Sequence, residues 1–270
     1  MNIALENEPT IDIQRQAMQA LYLWGVFITV AVIINGTIPF ILGFDLRTWT
    51  YSPLKNVAFN LIIYGGLFLV VPLVLTKGWA TVRRSAFFLP LIMAALAMTL
   101  RTYLRPTAAL AVIILIYLHW RFDLSKLGIQ SCGWKSDIIA ILLFGLVYLA
   151  PSLLQSNLIP SAPGNAFLAS LDRLFLNPAS TTEYLFYFGF LAERLSHKTG
   201  KWMTPLIIAA MYTTHEMSNP EYWYEGSKFL LIFVGVVLTA SIYLWRRSII
   251  VIWLGDGLSR FVSRLFTGAG

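Results

Sequence analysis

The sequence predicts an all-α integral membrane protein, a polytopic bundle of about eight to nine transmembrane helices. Three observations predict it. Apolar residues make up 57% of the 270-residue chain and charged residues 12%, with a mean hydropathy of +0.69; a soluble domain carries about twice that charged share. The apolar residues fall in long runs separated by short loops, as helices dissolved in hydrocarbon do. Lys and Arg favour alternate loops: the N-terminal tail and the even-numbered loops hold 12 of the 20, the odd-numbered loops and the far end hold 7, and Arg260 lies inside the last run. By the positive-inside rule this bias puts the N-terminus in the cytoplasm, as in a bacterial-type inner membrane. The net charge of +7 is scattered singly and in pairs between apolar runs, so nucleic acid is excluded as a partner and membrane lipids are expected.

Residues 1–16 form a short polar tail carrying Glu6, Glu8, Asp12 and Arg15, with no basic leader and no small-residue cleavage site, and are expected to be retained. Residues 17–266 follow as a single transmembrane helical domain of nine apolar segments. The first, about Ala17 to Phe44, spans with tilt and contains Gly36 and Pro39, where a kink is expected. The second runs from about Val57 to Thr76. The third and fourth, about Ser85 to Leu100 and Thr107 to Trp120, are short and separated only by Arg101 to Pro106, which predicts a tight hairpin with His119 as an edge anchor. The fifth covers about Asp137 to Leu158. A loop, Ile159 to Ser180, then contains a weakly amphipathic piece, Ala166 to Leu176, suited to the interface. The sixth covers about Thr182 to Leu195 and the seventh Trp202 to Met217. The eighth and ninth, about Phe229 to Trp245 and Ile249 to Phe266, are joined only by Arg246, Arg247 and Ser248, which predicts antiparallel neighbours. The single cysteine, Cys132, excludes an internal disulfide, and with three histidines a zinc site has to borrow carboxylates.

The sixth segment carries the chemistry. Glu183 stands at its head, and from there to Ala192 every other residue is aromatic or aliphatic apart from Gly189. A carboxylate inside a span costs roughly 2.5 to 3.5 kcal/mol on insertion scales, so one that is retained faces a polar cavity or a partner. Such a group suits a base that takes a proton from water and later returns it. The competing reading makes Glu183 a first-turn acid near the helix dipole, with Thr181 or Thr182 as N-cap. His215, about four turns into the seventh segment and followed by Glu216, can donate to a developing oxyanion or ligate a metal. Against that stands a plain histidine favoured by the dipole at a helix C-terminus. Asp256 and Arg260 are four apart and can pair with each other on one helix face. Glu193, Arg194 and His197 close the sixth segment and read as interfacial.

In order and spacing these pieces resemble the CPBP family, the intramembrane endopeptidases that include CAAX prenyl proteases and bacteriocin-processing proteins. The similarity covers residues 123–266. It begins with Asp-Leu-Ser-Lys-Leu-Gly-Ile at Asp123 to Ile129, like the family's lead-in before a span. It continues with Glu-Tyr-Leu-Phe-Tyr-Phe-Gly-Phe-Leu at Glu183 to Leu191, with the connector Leu195 to Trp202 around Gly200, and with Met211 to His215. It closes with Ser248 to Arg260. The resemblance implies a helical bundle around a water-filled cavity open to the bilayer, with Glu183 as base, His215 as electrophilic helper, and Asp256 and Arg260 in the last motif. The departures are Tyr184 for a second glutamate, Phe188 for an arginine, Met211 for an aromatic, Asp256 for a second histidine and Arg260 for an asparagine. Arg260 can replace the lost oxyanion donor, and no cofactor is required unless Glu183, His215 and Asp256 hold zinc. Two functions follow. One is intramembrane proteolysis of a membrane-bound or lipidated peptide. The other is a catalytically silent relative, a binding or scaffold subunit of a larger membrane protein complex.

Overall fold

The aromatic run after Glu183 is the central post of the molecule. The computed structural model describes residues 10–45, 49, 52–79, 128–129, 133–155, 182–219, 223 and 226–267. Every residue from Thr182 to Ala192 is buried, with Phe186, Tyr187, Phe188 and Phe190 fully so. A helix that is apolar on all sides has no polar face to present, and it goes to the middle. The third and fourth segments, the interfacial piece at 166–176, His119 and Cys132 lie outside the described residues.

Around the post the described residues are helical and contain no strand. Helix α1 (Thr10–Val32) passes through a π-helical turn (Ile33–Thr37) into α2 (Ile38–Leu42). The turn falls where Gly36 and Pro39 predict a break, because the proline has no N–H to give and its ring crowds the preceding turn. The helix begins at Thr10, within the stretch read as a tail, because Ile13, Ala17 and Ala20 share a buried face that continues the apolar stripe. Helix α3 (Pro53–Phe59) continues through a π-helical stretch (Asn60–Val70) into α4 (Val71–Lys77). Helix α5 (Trp134–Gln155), the π-helical post (Leu185–Ala192), α6 (Glu193–Met217), α7 (Gly226–Arg246) and α8 (Ile249–Thr267) complete the order.

Among the described residues, three helical stretches, Asp12–Leu42, Lys55–Lys77 and Lys228–Arg246, are long and apolar enough to cross a membrane. Their outer faces are apolar too: Tyr22, Phe40 and Ile41 on the first and Leu230, Leu231 and Val234 on the third are exposed.

The Arg246 to Ser248 link does turn tightly, with Arg247 at φ 53°. Beyond it, however, α8 lies mainly along α5, and α7 lies mainly along α6. Small residues set that choice. A Cβ on Gly255 of α8 would come within 2.6 Å of Phe144 on α5, and one on Gly145 within 3.4 Å of Leu258. Without side chains at these points the two backbones approach closely.

Helix α6 is broken at Gly200, where φ 76° and ψ 172° are open to glycine alone. The Thr204 hydroxyl donates to the Gly200 carbonyl at 2.7 Å and lies 2.8 Å from the Thr199 hydroxyl. Pro205 lies inside the new helix, one turn past the break, where it has no N–H to give to the Lys201 carbonyl. The sixth and seventh segments are thus two arms of one hairpin, packed side by side.

Candidate functional site

The hairpin brings Glu183 and His215 to the same level. Glu183 stands 17 positions before Gly200 and His215 stands 15 positions after it. At about 1.5 Å per residue the arms are about 25 and 22 Å long, so their far ends meet. Glu183 is buried there, and both of its carboxylate oxygens accept hydrogen bonds from phenols. Tyr64, from the Asn60–Val70 stretch, donates to Oε1 at 2.7 Å, and Tyr212, one turn before His215, donates to Oε2 at 2.9 Å. A purely local capping acid has no need of donors from two other helices.

His215 is 3% exposed and boxed by rings. Phe59 stacks on it with centroids 6.4 Å apart, Phe68 meets it edge-on at 5.3 Å, and Tyr187 and Tyr212 each lie 6.1 Å away. Trp24 of α1 holds the Tyr187 ring in place by donating to its hydroxyl at 3.0 Å. Nδ1 of His215 is buried with no hydrogen-bond partner. One helix turn on, Ser218 donates its hydroxyl to the His215 carbonyl at 2.6 Å, and Asn35 of the first π turn donates to the Ser218 carbonyl at 2.5 Å. The Asn35 Oδ1 is also buried without a partner. The three π-helical stretches among the described residues therefore supply Asn35, Tyr64 and Tyr187 to one end of the bundle. Widened single turns inside α-helices are frequent at functional sites.

Among the described residues, one group of potential metal ligands comes together: Glu183, His215 and Glu216, whose ligand atoms lie within 4.8 Å of one another. The group differs from the ligand set considered from the sequence, which had Asp256 in place of Glu216. Asp256 is committed elsewhere: its Oδ1 accepts from Arg260 Nε at 3.0 Å, one turn along the same helix. The Asp256 side chain is buried, while that of Arg260 is 45% exposed. Of the four residues singled out in the sequence, Glu183 and His215 meet directly, and Asp256 and Arg260 pair with each other on α8.

Three contributors escape a reading of the sequence. Tyr212 is three residues before His215 and shares its face, a signal available in the spacing. Tyr64 lies four residues after Asn60 in an otherwise apolar run, which is also readable as a polar pair. Glu216 is a sequence neighbour of His215, and adjacent helical positions ordinarily point apart, so only the end of the helix brings it in.

At the opposite end of the hairpin, Glu193 forms an ion pair with Arg247 and accepts from the Tyr243 hydroxyl at 3.4 Å. Arg246 pairs with Asp137 at 2.8 Å, tying α7 to the start of α5. Arg194 is fully buried within the bundle. Its Nε donates to Gln16 at 2.8 Å, its Nη1 donates to the Phe190 carbonyl at 3.2 Å, and its guanidinium lies over the Phe190 ring at 4.0 Å. The helix that starts early, at Thr10, brings Gln16 to it. His197 is exposed, in keeping with an edge position. Comparison with known proteins gives no match, whether by family model, by curated sequence or by solved structure.

Proposed function

We propose that the chain is an intramembrane endopeptidase of the CPBP type, an integral membrane protein of eight to nine spans that hydrolyses a peptide bond in a membrane-bound or lipidated peptide. The observation that supports this reading is the meeting of Glu183 and His215, 32 residues apart in sequence, in a buried pocket of phenols and rings. Glu183 takes a proton from water, and the hydroxide adds to the peptide carbonyl. The His215 N–H donates to the oxyanion that forms, and Glu183 returns its proton to the leaving amine. Tyr64 and Tyr212 hold the plane of the carboxylate through both steps. The Lys and Arg bias supports a cytoplasmic N-terminus, and exposed Trp134, Trp202 and Trp245 at helix ends near that side fit a headgroup belt.

The test is cleavage of a membrane-anchored or prenylated fluorogenic peptide by the purified full chain in vesicles. Glu183→Gln and His215→Ala are each expected to lower turnover by at least about 100-fold. Equal turnover in the wild type and Glu183→Gln removes the proposal. One observation favours the second reading, a silent binding or scaffold subunit. Arg260, the only replacement for the family's oxyanion-binding asparagine, is already paired with Asp256. Under that reading a partner co-purifies at fixed stoichiometry and Glu183→Gln leaves the complex intact.

A further inference from the structure

We propose that Glu183, His215 and Glu216 form a binding site for one divalent transition-metal ion of the zinc class. The inference rests on Glu183 and His215 acting as a site, and it goes further by assigning that site a ligand and Glu216 a role. The three ligand atoms lie within 4.8 Å of one another and offer one imidazole nitrogen and two carboxylate oxygens. That donor set suits a borderline ion. Around a tetrahedral ion with bonds of about 2.0 to 2.1 Å, ligand atoms stand about 3.3 Å apart, so the side chains need to close by no more than about 1.5 Å. Three protein ligands leave a fourth position open, which is the pattern of sites whose ion activates water.

A second observation, independent of the cluster's composition, points to a ligand. His215 is 3% exposed, and its Nδ1 has no hydrogen-bond partner even though two carboxylates stand close by. An imidazole kept out of water while making no such bond is left incomplete by the protein alone. The surroundings match what a bound ion requires. Tyr64 and Tyr212 each donate to a Glu183 oxygen, which fixes the orientation of a ligating carboxylate. Glu216 is only partly buried and gives an ion a way in from the bundle end.

The experiment uses the full chain, purified in detergent, stripped with a chelator and titrated with Co2+ alone. The d–d absorption band reports geometry, and Zn2+ then competes for the site. One equivalent is expected to bind. Glu216→Gln and His215→Ala are each expected to weaken binding by at least about 100-fold, and Tyr64→Phe by about 10-fold. Glu216→Gln lies at a partly exposed position, and its helical circular dichroism is expected to match the wild type. It therefore carries the test even if His215→Ala fails to fold. Absence of a saturable Co2+ band in the wild type, or unchanged affinity in Glu216→Gln, overturns the proposal. Peptide cleavage that survives complete metal removal, with no band, overturns the metal site and leaves the Glu183 hydrolase standing. Stoichiometric binding lost in Glu216→Gln, with no cleavage of any peptide, upholds the site and removes the hydrolase.

Discussion

The two ends of the hairpin built from the post and α6 treat charge in opposite ways. Near the Gly200 turn, Glu193 is matched with Arg247 and Asp137 with Arg246, while Arg194 is held by a side-chain amide, a carbonyl and a ring. At the far end the Glu183 carboxylate takes its hydrogen bonds from two phenols, and the imidazole beside it makes none through Nδ1. A cation neutralises a carboxylate and locks it in place; a phenol orients it through a hydrogen bond. One end is therefore tied together by ion pairs, and the other is the end at which the proposed function places the chemistry.

The contrast breaks first at the paired end. Asp137→Ala leaves a nearly buried Arg246 without its partner and is expected to cost about 3 kcal/mol, whereas Asp137→Leu with Arg246→Met returns to within about 1 kcal/mol of wild type. Unfolding in detergent measures both. Gly200→Ala places a side chain where φ is 76° and is expected to cost about 2 kcal/mol. Because it shifts one arm against the other, cleavage is expected to fall by more than the loss of folded protein explains. A comparison of specific activity with circular dichroism checks this. Next come the two halves of the α8 pair. Arg260→Ala strips a buried carboxylate of its donor and is expected to cost about 1 kcal/mol more than Asp256→Ala, which leaves only a half-exposed arginine; parallel thermal melts decide. The smallest effect is expected from Tyr212→Phe, about 1 kcal/mol, with turnover slowed and the fold kept.

Much of this contrast is legible in the sequence. Glu183 and His215 stand out because their neighbours are apolar, and Gly200 marks the break because a connector separates two apolar runs. The all-helical class follows from the hydropathy alone. What the sequence hides is rotation. Across Asn60–Val70 and Leu185–Ala192 the chain winds with more residues per turn than an α-helix, so a face read at a period of 3.6 drifts away from the face that exists. This conceals Tyr64 as a partner of Glu183. Glu216 is hidden for a different reason, since its side chain reaches the site from the last turn of a helix, where regular spacing rules lapse.

The near-equal arms on either side of Gly200 act as a ruler. Adding or deleting one residue in either arm would turn everything beyond it by about 100° and displace it by about 1.5 Å. The hydropathy of both runs would scarcely change, and such a chain would still enter a bilayer. Its acid and its imidazole would no longer face each other. The spacing from turn to tip thus encodes the chemistry separately from the composition that encodes the membrane fold.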